Sequence, residues 1–141
     1  YGNDLVFQKH LLPVVSLIST ISQIHKIKKG ESVGYNRGFI ASDDTRIGIV
    51  PIGHADGISR ILGNRKGKLL VNTIKCDIIG NVCMDMLMID ISNLDCKEGD
   101  EVIIFDENNQ TAEDFSKYSN TISYEILTSV SSRIKRVYID D

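Results

Sequence analysis

A chain of 141 residues with 42% hydrophobic and 25% charged content has the makings of one soluble globular domain. Its net charge of −3 offers no basic excess to meet nucleic-acid phosphates. No run approaches the roughly 18 apolar residues of a membrane helix. The three cysteines contain no C-x-x-C pair, which fits a reducing, cytoplasmic setting rather than a disulfide framework or a zinc site.

Residues 1–12 show no convincing period and read as a segment trailing in from a preceding domain, with the domain proper over 13–141. The chain opens on Tyr1 without an initiator methionine, as a piece of a larger parent would. Val14–Ile27 is rich in β-branched residues but neither side of it is purely apolar, which predicts a long strand with a bend or bulge. Lys28–Ser32 is a turn. Strands follow at Val33–Ala41 and Thr45–Ile52, then a Gly- and charge-rich loop over Gly53–Gly67. Three more strands are predicted at Lys68–Val71, Ile74–Ile79 and Val82–Ile91, and after a turn at Leu94–Asp100 another at Glu101–Phe105. Short strands at this spacing predict a mainly β fold, a distorted barrel or paired antiparallel sheets. Two short helices come near the C-terminus. Thr111 caps one ahead of Phe115 and Tyr118, and Ser123 caps the other with Ile126, Leu127 and Val130 on one face. Arg133–Ile139 reads as a closing strand, and the basic clusters Lys26–Lys29 and Arg133–Arg136 as solvated strand faces.

Asp85 is the anomaly. It lies in the apolar run Cys76–Ile91, where an ionised carboxylate is costly to bury unless it is paired or hydrogen-bonded. Met84, Met86 and Met88 alternate beside it and would fill one face of a strand. Cys83 reads as a small core residue. Asp56-Gly57 reads as a tight turn in which the aspartate bonds its own backbone.

Four stretches together carry a resemblance: Ser32-Val-Gly-Tyr-Asn-Arg-Gly-Phe39, Pro51-Ile-Gly-His-Ala-Asp-Gly57, the segment holding Cys83-Met-Asp85, and Thr121-Ile-Ser-Tyr-Glu-Ile126 with Arg133-Ile-Lys-Arg136. In this order they resemble the C-terminal β domain of alanine racemase, a pyridoxal-phosphate enzyme, over residues 13–139. The resemblance implies that Tyr35 is the catalytic tyrosine, the acid/base for one face of the substrate α-carbon. A free phenol has a pKa of about 10, so such a base needs a neighbouring cation or donor. Met84 and Asp85 match positions that line the substrate site, and Tyr124 matches a tyrosine that binds the cofactor phosphate. A hydroxyl near a helix start also suits an anion on general grounds. His54 stands where the family has tyrosine. It is expected to line the substrate entrance and to add a side chain that titrates near neutral pH. Asn36 and Met86 are smaller departures.

The resemblance further implies an N-terminal (β/α) barrel domain in the same protein, bearing the Schiff-base lysine, and a homodimer in which Tyr35, Met84 and Asp85 act across the interface while Tyr124 serves its own subunit. The reaction would interconvert L- and D-alanine. No (β/α)8 barrel of about 250 residues fits in this chain, so it is expected to be inactive alone. Two other readings are a non-catalytic assembly module and the β domain of a fold-type III amino-acid decarboxylase. The latter predicts a Cys-x-x-x-Asp substrate motif, against Cys-Met-Asp here.

Overall fold

The computed structural model describes residues 12–139; the expected trailing segment falls, apart from Leu12, outside them. Among the described residues, nine strands and two α-helices follow in chain order: β1 (Leu17–Thr20), β2 (Gln23–Ile27), β3 (Ser32–Val33), β4 (Phe39–Ile40), β5 (Thr45–Val50), β6 (Lys68–Val71), β7 (Ile74–Ile79), β8 (Leu87–Asp90), β9 (Glu101–Phe105), α1 (Ala112–Lys117) and α2 (Ser123–Ser129).

Seven strands form one antiparallel sheet in the order β1-β9-β6-β7-β8-β5-β2, and β3 and β4 make a separate ribbon. β1 and β2 are consecutive in the chain yet occupy opposite ends of that order, separated by Ile21 and Ser22 alone. Two residues span at most about 7 Å, so the sheet must curl until its ends meet. Ile21 and Ser22 bridge the ends: the Ile21 amide donates to Asp100 O (2.9 Å) and the Ser22 amide to Ile49 O (2.8 Å). The long strand expected over 14–27 is therefore two strands hinged at its middle, with a register shift between Leu17 and Ile18. The mainly β, distorted-barrel expectation holds.

Side chains alternate across the sheet with period two. Ile78, Leu87 and Ile89 enter the main core, which Phe115 of α1 and Ile126 of α2 help to cover. Ile79, Met88 and Ile47 point to the opposite face, where Val33 and Phe39 of the β3–β4 ribbon pack on them. The β6–β7 hairpin turns through Asn72 and Thr73, both at positive φ (50° and 67°), the backbone of a type I′ turn.

Three expectations need correction. The strand predicted over Val33–Ala41 is interrupted by a 3-10 turn, Tyr35–Arg37, with Asn36 and Arg37 at φ 55° and 51°. The strand predicted over Val82–Ile91 begins only at Leu87, because the carbonyls of Cys83 and Met84 accept from the amides of His54 and Ala55 instead of joining a ladder. Arg133–Ile139 is not a strand. Arg136 instead folds onto local carbonyls, donating to Ser131 O (3.0 Å), Ile134 O (2.9 Å) and Val130 O (3.2 Å).

Candidate functional site

The loop joining β7 to β8, residues 80–86, is the part on which the candidate residues converge. Its residues face three other segments. Asn81 Nδ2 donates to Tyr35 O (2.8 Å). The His54 amide donates to Cys83 O (2.9 Å) and the Ala55 amide to Met84 O (2.8 Å). Asp85 Oδ1 accepts from Arg133 Nη2 (2.7 Å). Gly53 makes the middle contact possible, since a Cβ there would stand 2.6 Å from both Cys83 O and Met84 O.

Tyr35 heads the 3-10 turn between β3 and β4, and 62% of its surface is exposed. The turn closes through the Gly38 amide on Tyr35 O (3.2 Å). His54 opens a second 3-10 turn, His54–Asp56, and is exposed. Its Nδ1 lies 3.3 Å from Ile58 O. A carbonyl can only accept, so Nδ1 carries the proton there and Nε2 is left to other partners.

The buried carboxylate of this region is Asp56, 3% exposed, and not Asp85. Arg133 holds Asp56 in a two-point ion pair, Nε to Oδ1 (2.6 Å) and Nη2 to Oδ2 (3.0 Å), and the Gly53 amide adds a third donor (2.8 Å). The Arg133 hydrogen bonds hold the Asp56 carboxyl below the usual carboxylate range, against burial and with help from the Gly53 amide. The same guanidinium reaches Asp85, whose side chain is exposed. Arg133, its pKa raised by Asp56 first and Asp85 second, thus ties the turn after β5 to the loop before β8. The expected turn bond of Asp56 to its own backbone neighbourhood exists, but the arginine is its larger partner. Arg133 and Arg136 of the basic cluster are accordingly hydrogen-bonded side chains rather than part of a strand face.

Met84 (52%) and Met86 (43%) are exposed, whereas Met88 is buried in the smaller core cluster. Core filling thus describes Met88 alone of the three. Cys83 packs against that cluster, its Sγ 3.7 Å from Asn81 O.

Tyr124 lies in the first turn of α2, 56% exposed, and its carbonyl accepts from Thr128 Oγ1 (2.7 Å). Ile122, rather than Ser123, precedes the helix as its cap residue. Thr121 Oγ1 bonds the Glu125 carboxylate and closes the helix start in place of Ser123. The far end of α2 returns to the His54 turn: Ser129 Oγ donates to Gly57 O (3.2 Å), and the Ser131 amide to Asp56 O (3.1 Å). Tyr35, His54, Met84 and Asp85 are therefore joined directly through one loop, and Tyr124 through the helix that follows it onto the same turn.

Sequence reasoning passed over Asn81 and underrated Arg133 and Asp56. Only the placing of Asn81 beside Gly80 and of Asp56 before Gly57, both turn signals, hinted that these polar side chains serve backbone geometry.

The family model described as "Alanine racemase, C-terminal domain" matches residues 14–138. An alanine racemase of Helicobacter pylori is 42% identical over 129 residues, covering 89% of this chain and 34% of that protein. An alanine racemase of Clostridium tetani is 41% identical over 135 residues, covering 93% and 35%. Among solved structures, alanine racemase of Clostridium difficile in complex with cycloserine is similar with a TM-score of 0.89 at 38% identity, covering 99% of this chain and 37% of the other. Alanine racemase of Bartonella henselae with covalently bound pyridoxal phosphate gives a TM-score of 0.84 at 38% identity, covering 89% and 35%. The chain spans about a third of the length of the curated relatives it matches.

Proposed function

Because the chain belongs to the family of alanine racemase C-terminal domains, we propose that it is the β domain of a pyridoxal-phosphate-dependent enzyme that interconverts L- and D-alanine. The observation that carries this reading is the convergence of the Tyr35 turn, the His54 turn and Asp85 on the loop 80–86. Tyr35 serves one face of the substrate α-carbon, removing or returning its proton through the phenol oxygen. Met84 and Asp85 shape the substrate side of the site, and His54 lines its entrance. Tyr124 donates its hydroxyl to the cofactor phosphate.

The donor set of this chain fits that cofactor at its phosphate end. The Tyr124 residue is largely exposed, and its hydroxyl takes no hydrogen bond from the described residues, which leaves it a donor for an anion brought by another domain. Pyridoxal phosphate, when bound, supplies the electron sink that makes an α-proton removable. The lysine that holds it, which is also the base for the other face, belongs to a (β/α) barrel domain of the same parent, and that domain also supplies the charge that activates Tyr35. The exposure of Tyr35, Met84, Met86, Ile122 and Tyr124 is what a surface completed by that barrel and by a second subunit requires. In the homodimer Tyr35, Met84 and Asp85 face the partner's cofactor and Tyr124 its own subunit's. A cytoplasmic setting is part of the same reading, supported by three free thiols.

Tyr35→Phe in the full-length parent tests it. Proton transfer on the L-face is expected to fall on the order of 10²–10⁴-fold, the usual contribution of a positioned acid/base. Full activity would leave the chain an assembly module. The isolated chain is expected neither to racemise alanine nor to develop the visible absorbance of a Schiff base.

A further inference from the structure

Tyr35 is a long way from being held by its own segment. Its turn runs through Asn36 and Arg37 at φ 55° and 51°, a left-handed backbone that side-chain-bearing residues adopt at a cost. The two-residue strands on either side pair at only two positions, Ser32 with Ile40 and Val33 with Phe39. Conformation here has to be imposed from outside the segment.

The side chain that reaches it is Asn81. Its Nδ2 donates to Tyr35 O at 2.8 Å, and its Oδ1 accepts from Asn64 Nδ2 at 3.1 Å. The orientation of the amide is settled by chemistry: the group facing a carbonyl must be the donor, and the group facing another amide nitrogen must be the acceptor. Asn64 is itself anchored, its backbone amide donating to Gly80 O at 2.9 Å. The next residue, Arg65, places its guanidinium 5.3 Å above the Phe39 ring at the other end of the turn, and pairs with Asp77 and Asp90. The turn also makes room for Asn81. A Cβ on Gly38 would stand 2.7 Å from Asn81 Nδ2 and 3.0 Å from its backbone nitrogen. Every polar atom of the Asn81 side chain is thus committed to joining the Tyr35 carbonyl to the loop 63–67.

We infer that Asn81 is the positioning residue of the Tyr35 acid/base: it sets the peptide plane from which the phenol departs, and so the reach of the hydroxyl towards the substrate. This rests on the proposed role of Tyr35. Asn81 touches neither substrate nor cofactor in this assignment; it acts through the Tyr35 main chain. A displacement of the reacting atom by about 1 Å is worth on the order of 10²-fold in rate, so one lost anchor on a strained turn is enough to matter.

The test uses the full-length parent enzyme carrying Asn81→Ala, Asn81→Asp or Tyr35→Phe. Asn81→Asp keeps the shape but turns an oxygen towards the Tyr35 carbonyl, so it is the more damaging of the two Asn81 variants. Both are expected to lower kcat, on the order of tenfold or more. Both are also expected to raise the α-deuterium isotope effect measured from L-alanine and not that from D-alanine, because only the tyrosine step slows. In the cofactor-free parent, hydrogen exchange of the peptide covering residues 34–40 is expected to quicken several-fold. A purely structural role would lower the active fraction and move neither isotope effect. Unchanged isotope effects, or unchanged exchange over 34–40, would overturn the inference while Tyr35→Phe still abolished L-face transfer. If Tyr35→Phe retained activity, the role of Tyr35 would fall, and this inference with it.

Discussion

At the scale of single residues, the buried carboxylate of this region lies outside the apolar run Cys76–Ile91. Asp85 is exposed, and the aspartate that needs a partner is Asp56, held by Arg133 and the Gly53 amide. Removing the charge should be costly, because the arginine and the amide would lose a buried acceptor. Asp56→Asn is expected to destabilise the domain by about 1–3 kcal/mol, read from the urea midpoint at neutral pH. The pH dependence has a definite sign. Arg133 holds the folded Asp56 carboxyl below its unfolded value. Burial pushes Asp106 up, but the amides of Gln110 and Asn109 outweigh it and leave it low as well. Such carboxylates contribute their stability in full above the unfolded pKa of about 3.9 and lose it as pH falls towards the folded value. The gap between neutral and acid urea midpoints is therefore expected to shrink in Asp56→Asn. An unchanged gap would mean that the pair does not contribute to acid unfolding.

At the scale of elements, what could be read locally was read well. The two-residue turn between Lys68–Val71 and Ile74–Ile79, and the Thr111 cap with its partner Asp114, need only their own neighbours. The cap expected at Ser123 fails locally, since Thr121 bonds Glu125 there; the larger departures fall where a distant segment supplies the hydrogen bonds. Residues 82–86 look like strand and are loop because the Cys83 and Met84 carbonyls serve the His54 turn, and 133–139 look like strand while Arg133 is drawn to Asp56 and Asp85. The β6–β7 turn also exposes a local cost. Thr73 sits at φ 67°, a conformation that strains a β-branched residue. Thr73→Gly is expected to raise stability by about 1 kcal/mol, seen as a higher urea midpoint. A lower midpoint would show that the lost Thr73 contacts outweigh the relief.

At the scale of the whole molecule, closure depends on the two residues between β1 and β2. Ile21 is 1% exposed and sits where the ends of the sheet meet, whereas Ile18 in the same segment is half exposed. Ile21→Ala is expected to cost about 2–5 kcal/mol, as a large-to-small change in a packed core does, and Ile18→Ala only about 0.5 kcal/mol. Equal costs would mean that the hinge is no more critical than the rest of the strand. The same closure brings the β5 turn, the β7–β8 loop and the end of α2 to one place, which is why the candidate residues lie together.

By itself the sequence determined the mainly β class, the positions of most strands, the two helices and the family. These follow from side-chain period, turn and cap residues and the order of four short motifs, all of them local or one-dimensional signals. Only the tertiary structure decided that Asp56 is the buried carboxylate, that Arg133 joins it to Asp85, and that Asn81 holds the Tyr35 turn. Those partners stand 77, 48 and 46 positions apart in the chain. Such pairings are settled by the curl of the sheet, which no stretch of sequence carries alone.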